Sequence, residues 1–256
     1  MRFALVDGRR QEAQPHLLGD CPGCGRSMVA RCGEVRVHHW AHKGQLFCDP
    51  WWENETEWHR AWKDQFPTEW QEVIHPTEDG GRHIADVKTV LGWVIEFQHS
   101  YLNPEERRLR DAFYPKLIWV VDGARRKRDQ AQLMNAWNAG VAVGRNSPVR
   151  KVFTDECRLL REWTDCKSPV FFDLGDRKWL WWLFAKSANG WAYIASYPRA
   201  LFIEGHRSTA PEIARQFEEF VNEMPKLIAA YESHIHAQPS RPDPLQPRGA
   251  RRHFRF

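Results

Sequence analysis

Two acidic residues, Asp86 and Glu96, stand ten positions apart in a segment where apolar runs alternate with turns. The run around each acid and the Leu91-Gly92 turn between them predict an antiparallel pair of strands, which brings both carboxylates within reach of one ion. Mg²⁺ and Mn²⁺ suit this pair because hard cations take carboxylate oxygens, with water and substrate completing the shell. The backbone carbonyl of Phe97 is the natural third ligand.

A second group of polar residues could assist an ion at this position. Gln98, two residues past Glu96, can orient an attacking water but supplies no charge. The other candidates come from two predicted helices: Glu55, His59 and Lys63, which recur every fourth residue, and Arg110. A divalent ion polarises phosphoryl oxygens and lowers the pKa of bound water, so this set predicts phosphodiester hydrolysis.

The N-terminal fifty residues contain a separate set of metal-binding side chains. Cys21 and Cys24 enclose Pro-Gly in a tight knuckle, and His42 and Cys48 complete a tetrahedral set of the kind that binds zinc. His39 competes with His42 for the third place. We expect this zinc to be structural, because the unit has few apolar residues of its own. The remaining thiols are predicted to be ordinary buried groups: Cys32, Cys157 and Cys166.

Other readings of these motifs account for less of the sequence. A redox role for Cys21 and Cys24 requires a βαβ context that is missing here. A zinc deaminase requires an upstream His-x-Glu, which is absent. An HNH-type nuclease could use His39, Asn54 and His59, but it leaves Asp86 and Glu96 unexplained.

Periodicity predicts an α/β chain in which helices and strands alternate. Small hairpins are expected at 3–14 and 29–37. Helices are predicted at 53–66, 103–114, after 128 to about 139, and 210–233; strands are predicted at 73–76, 83–90, 93–98, 117–121, 169–173, 179–186, 190–197 and 201–203. Asn54 or Thr56 could cap the first of these helices. The Trp-rich strand at 179–182 is expected to extend the core sheet rather than form a dimer surface.

The composition limits the class of protein. The chain has 256 residues, a net charge of +4 and six cysteines. No apolar run is long enough for a membrane helix, and the start carries no export signal, so we expect a cytoplasmic protein with reduced thiols. Residues 241–256 contain five arginines against one aspartate, and the Pro- and Arg-rich end after 234 is expected to be disordered.

Taken together, the motifs resemble the PD-(D/E)XK nuclease superfamily, in the variant where Gln replaces the last Lys. They are closer still to the competence protein CoiA-like family of bacterial nucleases, over about residues 1–125. The resemblance rests on the Cys21–Gly25 knuckle, His39–Lys43, Cys48-Asp49, Glu53–His59 with Lys63, Ile84–Val87, Glu96–Ser100, and Arg110 before Tyr114. One departure is Thr56, where the family more often has Ser.

The resemblance implies a restriction-endonuclease-like αβββαβ core that cleaves DNA with a metal ion, with Glu55, Asp86, Glu96 and Gln98 at its centre. We expect four regions: a zinc-knuckle subdomain at 1–52, the nuclease core at 53–145, an α+β extension at 146–233 and a basic tail at 234–256. The extension could bind a second copy or a protein partner. The alternative function is a non-catalytic DNA- or partner-binding protein that retains the nuclease scaffold and uses the zinc unit, Arg125–Arg128 and the tail.

Overall fold

The computed structural model describes residues 1–44, 48–51, 55–78, 80–144, 147–184 and 190–237. Within these residues the protein is a mixed α/β structure with two sheets and six α-helices. The strands are β1 Phe3–Val6, β2 Arg9–Glu12, β3 Leu18–Asp20, β4 Ser27–Arg31, β5 His39–His42, β6 Gln71–Pro76, β7 Arg82–Lys88, β8 Val94–Gln98, β9 Leu117–Asp122, β10 Val141–Ala142, β11 Val149–Phe153, β12 Val170–Asp173, β13 Trp179–Phe184 and β14 Trp191–Pro198. The helices are α1 Glu57–Lys63, α2 Pro104–Phe113, α3 Asp129–Ala139, α4 Arg158–Trp163, α5 Arg199–Arg207 and α6 Pro211–Ala237.

The N-terminal unit is a five-stranded antiparallel sheet in the order β2-β1-β3-β4-β5. The hairpin predicted at 3–14 is confirmed, with Asp7 and Gly8 both at positive φ in its turn. The hairpin predicted at 29–37 is wrong in its second strand. β4 pairs instead with β5, which begins at His39, so the connection is longer than a tight turn.

The main sheet has nine strands in the order β10-β11-β14-β13-β12-β9-β8-β7-β6. Its centre is parallel, because β9 pairs in parallel with both β8 and β12, and its other pairs are antiparallel. Apolar side chains from α3 and α4 pack on one face, and those from α1, α5 and α6 pack on the other. Strand β9 is buried along its whole length, as its continuous apolar run predicts.

The segment that carries the acidic pair has the predicted element order of helix, three strands, helix and strand. Asn103 caps α2 by accepting from the Glu105 backbone N–H, and Pro104 occupies the first turn. Helix α1 is shorter than the predicted 53–66. Thr56 forms its N-terminal cap, so Glu55 lies just before the helix rather than on its face, and Asn54 lies outside the described residues.

The C-terminal half adds its strands to the same sheet, so the predicted boundary at residue 145 falls between two strands of one sheet. The Trp-rich strand β13 lies inside it, as expected. The strand predicted at 201–203 is wrong, because these residues lie within α5, where Phe202 is buried against Trp62 and Phe171. Strand β11 and helix α4 were not predicted.

Helix α6 continues to Ala237, so the first residues of the predicted disordered tail are helical, and residues 238–256 lie outside the described part of the chain. Phe217, Val221, Met224 and Ile228 pack against the sheet. Among the described residues, no helix combines the length and apolar character needed to cross a membrane.

Candidate functional site

The hydrogen-bond ladder between β7 and β8 stops at the position of the acidic pair. Backbone pairing joins Val87 to Ile95 and Lys88 to Val94. One position further, where Asp86 faces Glu96, the Asp86 carboxylate replaces the backbone ladder: its Oδ2 accepts from the Phe97 N–H at 2.9 Å. The backbone pairing of β7 with β8 therefore ends here, and a side chain supplies the next hydrogen bond between the strands.

The register places both carboxylates on one face, as the turn at Leu91-Gly92 predicts. Gly92 has φ +85° and donates to Thr89 O, which fixes the turn. Directly opposed residues have Cβ atoms about 5 Å apart, so their carboxylates can reach a common ion. The register of β6 against β7, which pairs Gln71 with Val87, places Glu72 opposite Asp86 on the other side.

A small cavity lies at this point, with a volume of about 60 Å³, which is room for a few water molecules. Six of the seven predicted catalytic residues line it: Glu55, His59, Lys63, Asp86, Glu96 and Arg110. The cavity also has Phe97 in its wall. Its five carboxylates face two permanent cations, so it is acidic overall. An excess of buried carboxylate favours binding of a cation, which would offset the repulsion.

Gln98, the seventh predicted catalytic residue, does not line this cavity. It is buried on β8, and its Nε2 donates to the backbone and side-chain oxygens of Ser100 at 3.3 and 3.4 Å.

Lys63 is the electrostatic centre of one side of the cavity. Its Nζ lies 3.1 Å from Asp86 Oδ1, 3.3 Å from Glu72 Oε1 and 3.5 Å from Glu55 Oε1. Burial would lower the pKa of Lys63, but these three carboxylates outweigh it and raise the pKa above its ordinary value. The ammonium is therefore held charged, and it joins α1 to β6 and β7.

The surroundings of Glu96 disfavour its charged form, whereas those of Lys63 favour the charged form. Burial raises the pKa of Glu96 to about 8, and the charge of Asp86 adds to this effect, while Arg110 opposes it. Arg110 Nη1 donates to Glu96 Oε2 at 3.0 Å. For Glu55, burial would also raise the pKa, but Lys63 and Arg60 lower it to about 2. Without a cation, the acids of the cavity therefore differ widely in their affinity for protons.

Two acidic residues in the cavity wall were not among the predicted site residues. Glu72 is buried at φ +48°, and its carboxylate accepts from the backbone N–H groups of Arg2 and Phe3 as well as from Lys63. Asp49 is also buried and hydrogen-bonds to β7. No periodicity marks Glu72, because its position depends on the pairing of β6 with β7. Asp49 has one sequence signal, which is that it directly follows the zinc candidate Cys48.

The predicted zinc ligands converge. The ligand atoms of Cys21, Cys24, His42 and Cys48 all lie within 4.8 Å of one another, and within the described ranges they are the one group of three or more such residues. The Cys21 and Cys48 sulfurs are 3.6 Å apart, and Cys24 Sγ is 3.2 Å from His42 Nε2. Around a tetrahedral zinc with ordinary bond lengths, two sulfur ligands lie roughly 3.8 Å apart, and a sulfur and a nitrogen ligand lie roughly 3.5 Å apart. The two distances in the cluster are close to these values. This Cys₃His cluster could hold a structural zinc.

The backbone of the knuckle is shaped for this cluster. Gly25 has φ +70°, and its N–H donates to Cys21 O at 2.8 Å. A Cβ on Gly23 would lie 3.2 Å from the Arg82 side chain and 3.6 Å from Cys21 Sγ, so a glycine allows close approach there. The hydrogen bond between the two thiols lowers the pKa of Cys21 and raises that of Cys48, so without a metal ion the pair shares a proton that zinc would displace.

His39, the competing ligand, lies outside the cluster. Its Nδ1 donates to Val37 O at 2.9 Å. All six cysteines are free. Of the three cysteines predicted to be buried thiols, Cys157 is buried, while Cys32 and Cys166 are partly exposed.

Comparison with known proteins gave no match to a family model, a curated protein or a solved structure. The resemblance to the CoiA-like family therefore stays a prediction from the motifs.

The basic run at Arg125–Arg128 is partly neutralised within the fold. Arg126 forms ion pairs with Asp129 and Glu162. Lys127 and Arg128 are exposed at the start of α3.

Proposed function

We propose that the protein is a metal-dependent nuclease that hydrolyses DNA phosphodiester bonds. The observation that carries this proposal is the placement of Asp86 opposite Glu96, at the edge of an acidic cavity where the β7–β8 ladder stops. Two carboxylates that are repelled by each other and withdrawn from water gain most from a shared divalent cation. Mg²⁺ or Mn²⁺ is the ion that suits these oxygens.

The residues around the pair have distinct proposed roles. Asp86 and Glu96 would hold the ion, with the Phe97 carbonyl as a further oxygen. The bound ion would polarise the phosphoryl oxygens and supply a water of lowered pKa. Lys63 and Arg110 keep the two acids in place, since each already forms an ion pair with one of them. Glu55 and His59 lie in the same wall and could orient water, and Gln98 on β8 could contact the substrate beyond the cavity.

A plasmid-nicking assay with and without Mg²⁺ or Mn²⁺ tests this function. We expect wild-type protein to nick DNA only with the ion, and Asp86→Asn and Glu96→Gln to lose roughly 100-fold or more of this activity. Glu69→Gln is the matched control, because Glu69 is an exposed acid that lies outside the cavity. Cleavage that persists undiminished in both purified site variants would overturn the assignment.

The second candidate is a DNA- or partner-binding protein that keeps this scaffold without turnover. The exposed cations of Arg125–Arg128 favour contact with phosphates, and binding through them should weaken steeply with salt. Salt-sensitive DNA binding by a protein that never cleaves, with either ion, would favour this candidate over the nuclease.

A further inference from the structure

The zinc cluster and the acidic cavity share one short stretch of chain, which we term the linking segment, Cys48–Trp51. It begins with a zinc-ligand candidate, and two of its residues, Asp49 and Trp51, line the cavity. The N-terminal unit therefore forms one wall of the site. The question is what this wall does for Asp86 and Glu96.

Asp49 connects the segment to β7. Its Oδ2 accepts from the backbone N–H of Ile84 at 2.8 Å, and its Oδ1 accepts from His83 Nδ1 at 3.1 Å. Ile84 lies two residues before Asp86 on the same strand. The carboxylate thus anchors the part of β7 that precedes its backbone pairing with β8.

Trp51 connects the segment to the other acid. Its carbonyl oxygen accepts from Arg110 Nη2 at 2.7 Å, and Nη1 of the same guanidinium donates to Glu96 Oε2 at 3.0 Å. The Trp51 ring stacks on His83, with centroids 3.2 Å apart and planes 7° apart. The segment that follows Cys48 therefore reaches Glu96 through Arg110 and anchors β7 two residues before Asp86.

The Asp49 carboxylate contacts the linking segment and β7, whereas Asp86 and Glu96 pair with the buried cations Lys63 and Arg110. Its Oδ1 also accepts from the Trp51 N–H at 2.9 Å, so each oxygen already has a donor within the protein. Buried carboxylates with this many donors fix the backbone around them. Asp49 is a positioning residue, not a ligand.

We propose that zinc bound by the Cys₃His cluster holds the linking segment against β7 and α2, so that zinc occupancy and Asp49 together set the divalent-cation affinity of the Asp86–Glu96 pair. This inference rests on the proposed function for the identity of the cation site. It assigns the N-terminal unit to the assembly of the site, in place of an independent DNA-binding module.

The test uses the full chain in four variants besides wild type. Asp49→Ala removes both acceptors, and Asp49→Asn keeps the shape and one acceptor. Asp20→Ala is the matched control, because Asp20 precedes the ligand Cys21 as Asp49 follows Cys48, yet it is exposed and lies outside the cavity. Asp86→Asn gives the reference for loss of the cation site.

Three quantities are measured: bound zinc by metal analysis, hydrogen exchange at the Ile84 amide, and Mn²⁺ affinity by calorimetry. We expect Asp49→Ala to keep its zinc, to exchange the Ile84 amide faster, and to bind Mn²⁺ roughly 10- to 100-fold more weakly. Asp49→Asn should show a smaller shift in the same direction. Asp20→Ala should match wild type in all three, and zinc-stripped wild type should resemble Asp49→Ala.

The outcomes separate the two proposals. If Asp86→Asn binds Mn²⁺ as well as wild type, the cation site itself is wrong, whatever the Asp49 variants do. If Asp86→Asn loses Mn²⁺ while Asp49→Ala keeps wild-type affinity and Ile84 exchange, the positioning role is wrong and the nuclease proposal stands. Should Asp49→Ala fail to fold or lose zinc, the same comparison is made with Asp49→Asn.

Discussion

Asp86 faces Glu96 across the point where β7 and β8 part, and the Asp86 carboxylate takes the hydrogen bond from Phe97 N–H that the ladder would otherwise use. This relationship makes the two acids one electrostatic unit, since the charge of Asp86 helps to raise the pKa of Glu96. A change in either acid therefore alters the other.

The coupling between Asp86 and Glu96 predicts that the effects of substituting the two residues are not additive. If both acids hold one ion, the first substitution removes the ion and the second has nothing further to remove. We expect the double variant Asp86→Asn/Glu96→Gln to cleave DNA no more slowly than the slower single variant. Cleavage rates of the three proteins at saturating Mn²⁺ measure this, and an additive loss would contradict a shared ion.

Lys63 should contribute strongly to stability, because its buried ammonium pairs with the buried carboxylates of Glu55 and Glu72 and with the partly exposed Asp86. Lys63→Met removes the cation that these carboxylates share and leaves them only their other hydrogen bonds, so we expect the free energy of unfolding to fall by about 3–5 kcal/mol. Denaturant unfolding measures the change. The control is Lys116→Met, which breaks a partly exposed pair with Glu218 and should cost less than about 1 kcal/mol. A similar small loss for both variants would argue against this charge balance.

The zinc cluster predicts different outcomes for two cysteines of the same unit. Cys48→Ser should lose the bound zinc and lower the stability of the N-terminal sheet by roughly 3 kcal/mol or more, because metal-binding energy is folding energy in such units. Cys32→Ser should keep the zinc, since Cys32 lies outside the cluster. Metal analysis and thermal unfolding provide the measurements, and zinc retained by Cys48→Ser would exclude the proposed ligand set.

His206 predicts a pH dependence that is independent of the acidic cavity and of the Cys₃His cluster. Its ring is buried between Phe202 and Phe217, and Nδ1 donates to Phe202 O at 2.7 Å. Burial lowers its pKa to about 4. Between pH 6.5 and 4 the unfolded chain takes up a proton that the folded chain excludes, so stability is present above pH 6.5 and falls as the pH drops.

The size of this effect follows from the shift in the pKa of His206. The loss amounts to about 3 kcal/mol for the full pKa difference. We expect His206→Asn to remove this component, so that the difference in unfolding free energy between wild type and variant changes across pH 4–6.5. Equal pH dependence in the two proteins, measured by denaturant unfolding, would show that His206 is not buried as a neutral ring.

The strands and the helix around the acidic pair were predictable from short stretches of sequence. Gly92 in a tight turn, alternating apolar residues and the Pro104 helix start each act over a few residues, so they fix β7, β8 and α2 from the sequence. Local signals misled at 201–203, where a short apolar run fits a strand or a helix equally well. Burial of Phe202 against α1 and the sheet decided for the helix.

The chemical types at both candidate sites follow from the amino-acid order alone: three thiols and an imidazole at knuckle spacing, and two carboxylates on neighbouring strands. Ligand type and spacing are properties of the local chain, so they can be read without coordinates. Three features required the folded chain: Glu72 and Asp49 join the cavity, His42 rather than His39 completes the cluster, and Gln98 lies outside the cavity. These depend on strand register and on packing between units distant in sequence, where a shift of one residue reverses which side chains meet.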